Sequence, residues 1–289
     1  MDWLQALILG IIQGLTEFLP ISSSGHLIIG KEILGLEATD NIAFETVVHC
    51  ATVLSTITIL RKEIATLLLK LFKLEWNPET KYIGMILLSM IPVMIVGLFF
   101  KKNVEQLFGE GLSLVGAMLL VTAVLLALSS FKYLKIQRFK NLKIQCSEVQ
   151  NSRTLNLKSL NFKSLNWGSA FIIGIAQAVA VLPGLSRSGT TIATGLLLGV
   201  KKEEVAKFSF LMVLIPILGE TALGAMKGDF SAAVSGIPAS SLFIGFIAAY
   251  LCGCFACKFM IELVKRTNLF WFAIYCAIAG TIALVYSLC

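Results

Sequence analysis

Gln13 and Glu17 stand four residues apart, so one helical face carries an amide and a carboxylate. Past Leu19-Pro20-Ile21 comes Ser22-Ser23-Ser24-Gly25-His26. Far down the chain lies a second cluster, Pro183-Gly184-Leu185-Ser186-Arg187-Ser188-Gly189-Thr190-Thr191. A carboxylate and a histidine handle protons, and oxygen ligands hold hard cations. Hydroxyls and free backbone N–H groups at a helix N-terminus hold anions. A guanidinium binds phosphate in bidentate fashion. The combination suits the binding of a phosphate-like anion beside groups that can move protons. Gly184-Leu185-Ser186-Arg187-Ser188 is not a nucleophile elbow, because the final glycine is missing and no strand precedes it.

Each residue also has a plainer reading. Glu17 could brace a turn, one serine could cap a helix, His26 could be a buried structural histidine, and Arg187 could simply pair with Glu17. Three serines exceed what capping needs, and an ionisable group at membrane depth is costly without a partner or a purpose. Glu45 opens an apolar segment and could face the site. Glu220, after Pro216, has a weaker claim, and His49, one turn beyond Glu45, reads as a core or water-facing residue.

The elements that position these residues are membrane elements. The chain is 57% hydrophobic and 14% charged, against about 25% charged in soluble domains. The seven cysteines lie mostly in apolar runs and read as small hydrophobes rather than a disulfide framework or a metal site. The first apolar stretch lacks a basic n-region and reads as no signal peptide.

Residues 3–48 and 167–212 are one segment written twice at an offset of 164, which matches Gln13 with Gln177, Ser22 with Ser186 and Gly25 with Gly189. The expected class is an all-α integral membrane protein. Segments 82–100, 111–130, 235–257 and 269–288 approach the roughly 20 apolar residues of a span, and 44–60 and 208–226 are spans with polar interruptions. Segment 61–81 reads as interfacial. Regions 3–35 and 168–199 read as re-entrant hairpins, two short helical arms around a polar break.

The expected division is therefore a first repeat at 1–130, a linker at 131–166 and a second repeat at 167–289. Each repeat has one hairpin and three spans. Three is odd, so the second must enter from the opposite face as an inverted-topology repeat. With the linker cytoplasmic, nineteen Lys and Arg lie on its side and four on the other (Lys31, Lys101, Lys102, Lys227), while Arg187 completes the 24. By the positive-inside rule, both termini and the site then face outward. Because the basic residues sit in loops, the net charge of +7 is a topology signal and not a nucleic-acid patch.

The stretch Gln13-Gly14-Leu15-Thr16-Glu17-Phe18-Leu19-Pro20-Ile21-Ser22-Ser23-Ser24-Gly25-His26 resembles the first signature of the undecaprenyl-diphosphate phosphatase, or bacitracin-resistance, family. Residues 183–191 resemble its second. The resemblance implies a bacterial inner-membrane enzyme that hydrolyses undecaprenyl diphosphate to undecaprenyl phosphate, the lipid carrier of cell-wall synthesis. It also implies Mg2+ or Ca2+ dependence. The family's first motif allows Glu or Gln at its first place, and Gln13 takes the Gln option, so the cation rests mainly on Glu17 and the substrate phosphates. The family's His maps to His26, its central Ser to Ser23 and its Arg to Arg187.

The expected partners are the lipid substrate and the bilayer, with a homodimer left open. Glu17, Ser23, His26 and Arg187 form the expected catalytic set, with Ser22, Ser24, Gly25, Glu45, Ser186, Ser188, Gly189, Thr190 and Thr191 around the substrate. Ser23 with His26 as base is the preferred nucleophile, ahead of His26 itself or an activated water. The competing reading is a secondary transporter or flippase, since broken helices in inverted repeats also build transporters.

Overall fold

The computed structural model describes residues 1–36, 42–71, 77–100, 106–107, 111–149, 164–227, 236–266 and 268–288, without the side chains of residues 42, 137–149, 220, 227, 265 and 266. The principal helices among them are α1 (Trp3–Thr16), α2 (Ser23–Ile33), α3 (Ile42–Ile59), α4 (Arg61–Leu71), α5 (Pro78–Phe99), α6 (Gly111–Val149), α7 (Trp167–Val179), α8 (Arg187–Leu197), α9 (Lys202–Met212), α10 (Leu214–Lys227), α11 (Ala239–Arg266) and α12 (Phe270–Leu288). No strand occurs among the described residues. Among the described residues five stretches are long and apolar enough to cross a membrane, and α3 with α4, bent by 78°, makes six if the pair counts as one span.

The duplicated segments fold alike. Asp2 caps α1 through Gln5 N–H at 2.7 Å, and Asn166 caps α7 through Ser169 N–H at 2.8 Å. The capped arms have 14 and 13 residues, about 20 Å at 1.5 Å per residue, short of a bilayer's hydrocarbon core of about 30 Å. Ser22 caps α2 by accepting Gly25 N–H at 3.2 Å, and Ser186 caps α8 by accepting Gly189 N–H at 3.0 Å. Packing follows the same offset, with α1 lying on α11 as α7 lies on α5, and with α6 against α12.

Small residues permit these approaches, as they do wherever membrane helices touch closely. A Cβ on Gly116 would lie 2.8 Å from the Gly280 carbonyl oxygen, and one on Gly280 would lie 2.8 Å from that of Gly116. These two glycines are themselves partners at the 164 offset. A Cβ on Gly174 would run into the Ser89 carbonyl. Gly174→Val is therefore expected to destabilise the fold by about 1–3 kcal/mol through overpacking. Thermal unfolding in detergent checks this against Gly97→Ala, where nothing lies within 4 Å.

Two boundaries and the placement of one charge differ from the sequence reading. The span expected at 208–226 begins at Lys202 and is broken at Val213 between α9 and α10. Pro216, in the first turn of α10, has no N–H to carry a helix across that point. The linker expected from residue 131 is helical to Val149 as part of α6, and residues 150–163 lie outside the described residues. Lys31 is not an aqueous charge: it is 1% exposed on α2 and 2.6 Å from Glu45.

Candidate active site

The tips of the two hairpins meet. Ser188 Oγ donates to the Leu19 carbonyl at 3.0 Å across the junction. A Cβ on Gly25 would stand 3.3 Å from Gly184 Cα, and one on Gly189 would stand 3.1 Å from the Pro20 carbonyl oxygen. Gly25 and Gly189 therefore let each tip close on the start of the other hairpin's second arm. Thr122 on α6 supports the second tip by accepting Ser186 N–H at 3.1 Å.

At this junction the carboxylate of Glu17 gathers three side chains on Oε2. Gln13 Nε2 donates at 2.8 Å, Ser23 Oγ donates at 2.5 Å, and His49 Nε2 stands at 3.6 Å. Gln13 reaches Glu17 because the two are four apart on the same helical face. Ser23 reaches it because the chain reverses between them. Ser22 accomplishes the turn with φ +70, the one positive φ among the described non-glycine residues. Such a conformation costs about 1–3 kcal/mol and persists where the surroundings over-determine it.

Glu17 faces a small cavity that Arg187, Ser188, Thr191, Thr52 and Gln177 also line. No ion pair joins Arg187 to Glu17 within 4.0 Å among the described residues. The two charges thus face a shared space instead of closing it. Thr191 is committed to the Arg187 carbonyl at 2.8 Å and to Ser209 Oγ at 2.6 Å. Ser24 contacts Ser22 at 3.3 Å and Ser188 contacts Ser186 at 3.4 Å. Thr190 Oγ1 is buried without a hydrogen-bond partner.

His26 points elsewhere. Its Nδ1 lies 2.7 Å from the Ser22 carbonyl, and its Nε2 lies 2.7 Å from the Tyr275 hydroxyl on α12. A carbonyl only accepts, so Nδ1 carries the proton and, in the neutral ring, Nε2 accepts from the tyrosine. Ser23 is joined to Glu17, not to His26. Glu45 is turned to Lys31 and reaches the site only through its backbone carbonyl, which takes His49 Nδ1 at 2.8 Å. The side chain of Glu220 lies outside the described residues.

The residues present suit a hard divalent cation of low protein coordination. Gln13 Oε1 is fully buried beside Glu17 with no partner, and amide and carboxylate oxygens are the ligands such ions take. No cluster of three His, Cys, Asp or Glu side chains occurs among the described residues, so water and phosphate oxygens would have to complete the shell. Gln177 and Tyr275 are neighbours the sequence reading did not place at the site, and His49 is one it read as core or water-facing. Gln177 had a signal, its alignment with Gln13 at the repeat offset. His49 and Tyr275 had none, because only the packing of α3 and α12 brings them in.

Fold and site together define a polytopic helical membrane protein in which two hairpin tips enclose opposed ionised groups. The model of the family described as bacitracin resistance protein BacA matches residues 6–282, and the chain belongs to that family. A protein of Bacteroides fragilis named undecaprenyl-diphosphatase is 54% identical over 288 residues, covering 99% of each chain. One of the same name from Parabacteroides distasonis is 54% identical over 289 residues, covering 100% of this chain and 99% of its own. Another from Methanobrevibacter smithii is 36% identical over 301 residues, with 100% and 99% covered.

Proposed function

We propose that this protein hydrolyses undecaprenyl diphosphate to undecaprenyl phosphate and orthophosphate, recycling the carrier lipid of cell-wall synthesis and so conferring bacitracin resistance. The observation that carries the mechanism is the 2.5 Å bond from Ser23 Oγ to Glu17 at a cavity shared with Arg187. Relatives of the same name along the full length argue against the transporter reading.

Ser23 Oγ attacks the terminal phosphorus as its proton passes to Glu17 Oε2. The bond from that phosphorus to the bridging oxygen breaks, and undecaprenyl phosphate leaves with the electron pair. Arg187 and the N–H groups at the start of α8 neutralise the phosphoryl oxygens. In the second step His26 exchanges Tyr275 for a water and takes its proton as the water oxygen bonds to phosphorus. The bond from phosphorus to Ser23 Oγ breaks, Ser23 Oγ keeps the electron pair and recovers its proton from Glu17, and orthophosphate leaves. Gln13 and Glu17 would hold a divalent cation, which when bound withdraws charge from the phosphoryl oxygens.

The test is orthophosphate release from a polyprenyl diphosphate in detergent, with acid-quenched label followed onto the protein. Label on Ser23 is expected, and His26→Ala should accumulate it while stalling turnover. A protein that never carries label while turning over would remove Ser23 as nucleophile. EDTA is expected to stop release and Mg2+ or Ca2+ to restore it, and undiminished activity in EDTA would remove the ion.

The same reading makes the halves an inverted pair of re-entrant hairpins, with both termini and the site outside. Reassigning buried Lys31 leaves nineteen basic residues against three on the outer side, which strengthens the positive-inside bias. The polyprenyl tail stays in lipid and enters between helices.

A further inference from the structure

Gln177 on α7 is 1% exposed, and neither its Nε2 nor its Oε1 has a hydrogen-bond partner. A buried amide left so costs about 1–3 kcal/mol for each unsatisfied group. Native proteins leave few such atoms, and those they leave call for a physical reason. Ser130 is orphaned too, but it does not line the cavity that Gln177 shares with Glu17, Arg187, Ser188 and Thr191.

The repeat sharpens the point. In the first half Gln13 donates to Glu17. In the second, the position matching Glu17 is Val181, so Gln177 has no carboxylate to hold. An apolar side chain would avoid the desolvation cost there. What the amide faces instead is the space beside a guanidinium whose own alignment partner is the neutral Ser23. Both groups present N–H donors to that space. An occupant suited to both is an anion with several acceptor oxygens.

We propose that Gln177 is a ligand of the substrate's phosphoryl group. Its Nε2 donates to an oxygen of the phosphate that Arg187 holds, and its Oε1 takes a water or a phosphate hydroxyl. The two hairpins then contribute their matched glutamines to different tasks, Gln13 to the carboxylate and Gln177 to the anion. The proposal rests on the phosphatase reading for the identity of the anion.

Two measurements separate the proposal from that reading: kinetics on a polyprenyl diphosphate, and the thermal shift given by inorganic pyrophosphate alone. Gln177→Leu is expected to lower kcat/KM by about 10- to 100-fold, chiefly through KM, as the loss of one hydrogen bond to a charged group predicts. It should also lose the pyrophosphate shift while its own unfolding temperature stays level or rises. Gln177→Glu, nearly isosteric, should lose more than Gln177→Leu, because it sets a carboxylate against the phosphate.

An amide satisfied only by a buried water gives the opposite pattern. The unfolding temperature falls, while KM and the pyrophosphate shift stay as in the wild type, and that result overturns the proposal. If Gln177→Leu fails to fold, Gln177→Glu decides alone, and wild-type KM and shift in it are equally fatal. A wild-type protein that binds pyrophosphate but releases no phosphate overturns the phosphatase reading, while loss of the shift in Gln177→Leu still supports the ligand.

Discussion

Glu17→Gln is expected to lower orthophosphate release by about 10²- to 10⁴-fold, the range for removing a positioned proton acceptor, while the protein remains folded in detergent. The substitution changes almost no volume. It leaves the chain reversal that sets Ser23 opposite residue 17, and Gln13 and His49 still pack there. What it removes is the charge. An amide oxygen can accept the Ser23 hydroxyl but cannot take its proton, so the serine stays a weak nucleophile. The amide nitrogen also turns a donor toward a neighbourhood built from donors. A variant within tenfold of the wild type would show that the serine proton goes elsewhere and that Glu17 only braces the turn. Measuring label on Ser23 in the same variant separates a slow first step from a slow second one, because only the former leaves the serine empty.

Much of this arrangement is legible in the chain, for definite reasons. Apolar runs near 20 residues give helices, and Leu-Pro-Ile before Ser22 stops α1 where it stops. The exact offset of 164 predicts that Ser22 and Ser186 do the same job, and both cap. Gln13 and Glu17 could be placed together because helical spacing alone fixes them.

What was not legible depends on tertiary approach. Nothing local says that His26 will face Tyr275, 249 residues away, or that His49 from α3 will stand behind Glu17. Glu45 was read toward the site, but its carboxylate neutralises a lysine that the sequence placed in water. Lys31 lies on a short arm next to Glu32 and near its C-terminal end, so only packing reveals its burial. Charge location is a sound guide to topology when the charge is in a loop, and Lys31 marks where that premise fails.

The duplicated hairpins share their helical arms and serine caps but differ at the centre, in backbone at the cap (φ +70 at Ser22, −67 at Ser186) and in side chains. Position 17 is acidic in one and apolar Val181 in the other, and position 26 is histidine in one and Thr190 in the other. A symmetric pair would place like charges on both sides of the junction, which costs energy and cannot both hold an anion and activate a nucleophile. In the proposed mechanism the roles are split, with the serine and its acceptor on one hairpin and the cation for the phosphate on the other.

Arg187→Ala is expected to be the most damaging single change in the second hairpin, at about 10³- to 10⁵-fold in kcat, the worth of an arginine that meets phosphoryl charge in the transition state. Arg187 stands at the first position of α8, where backbone N–H groups already favour an anion. Among the described residues no carboxylate lies within 4.0 Å of it. Its removal therefore breaks no ion pair, and stability should change little. That separation of activity from stability is the decisive feature, since a bracing arginine would lose both together. Arg187→Lys keeps the charge and loses the planar fork, so it should bind inorganic pyrophosphate measurably yet fall well below the wild type in kcat. Equal rates for lysine and arginine would mean that only a point charge is needed. Wild-type turnover in Arg187→Ala would place the phosphate away from the second hairpin, and the paired tips would then need a different purpose.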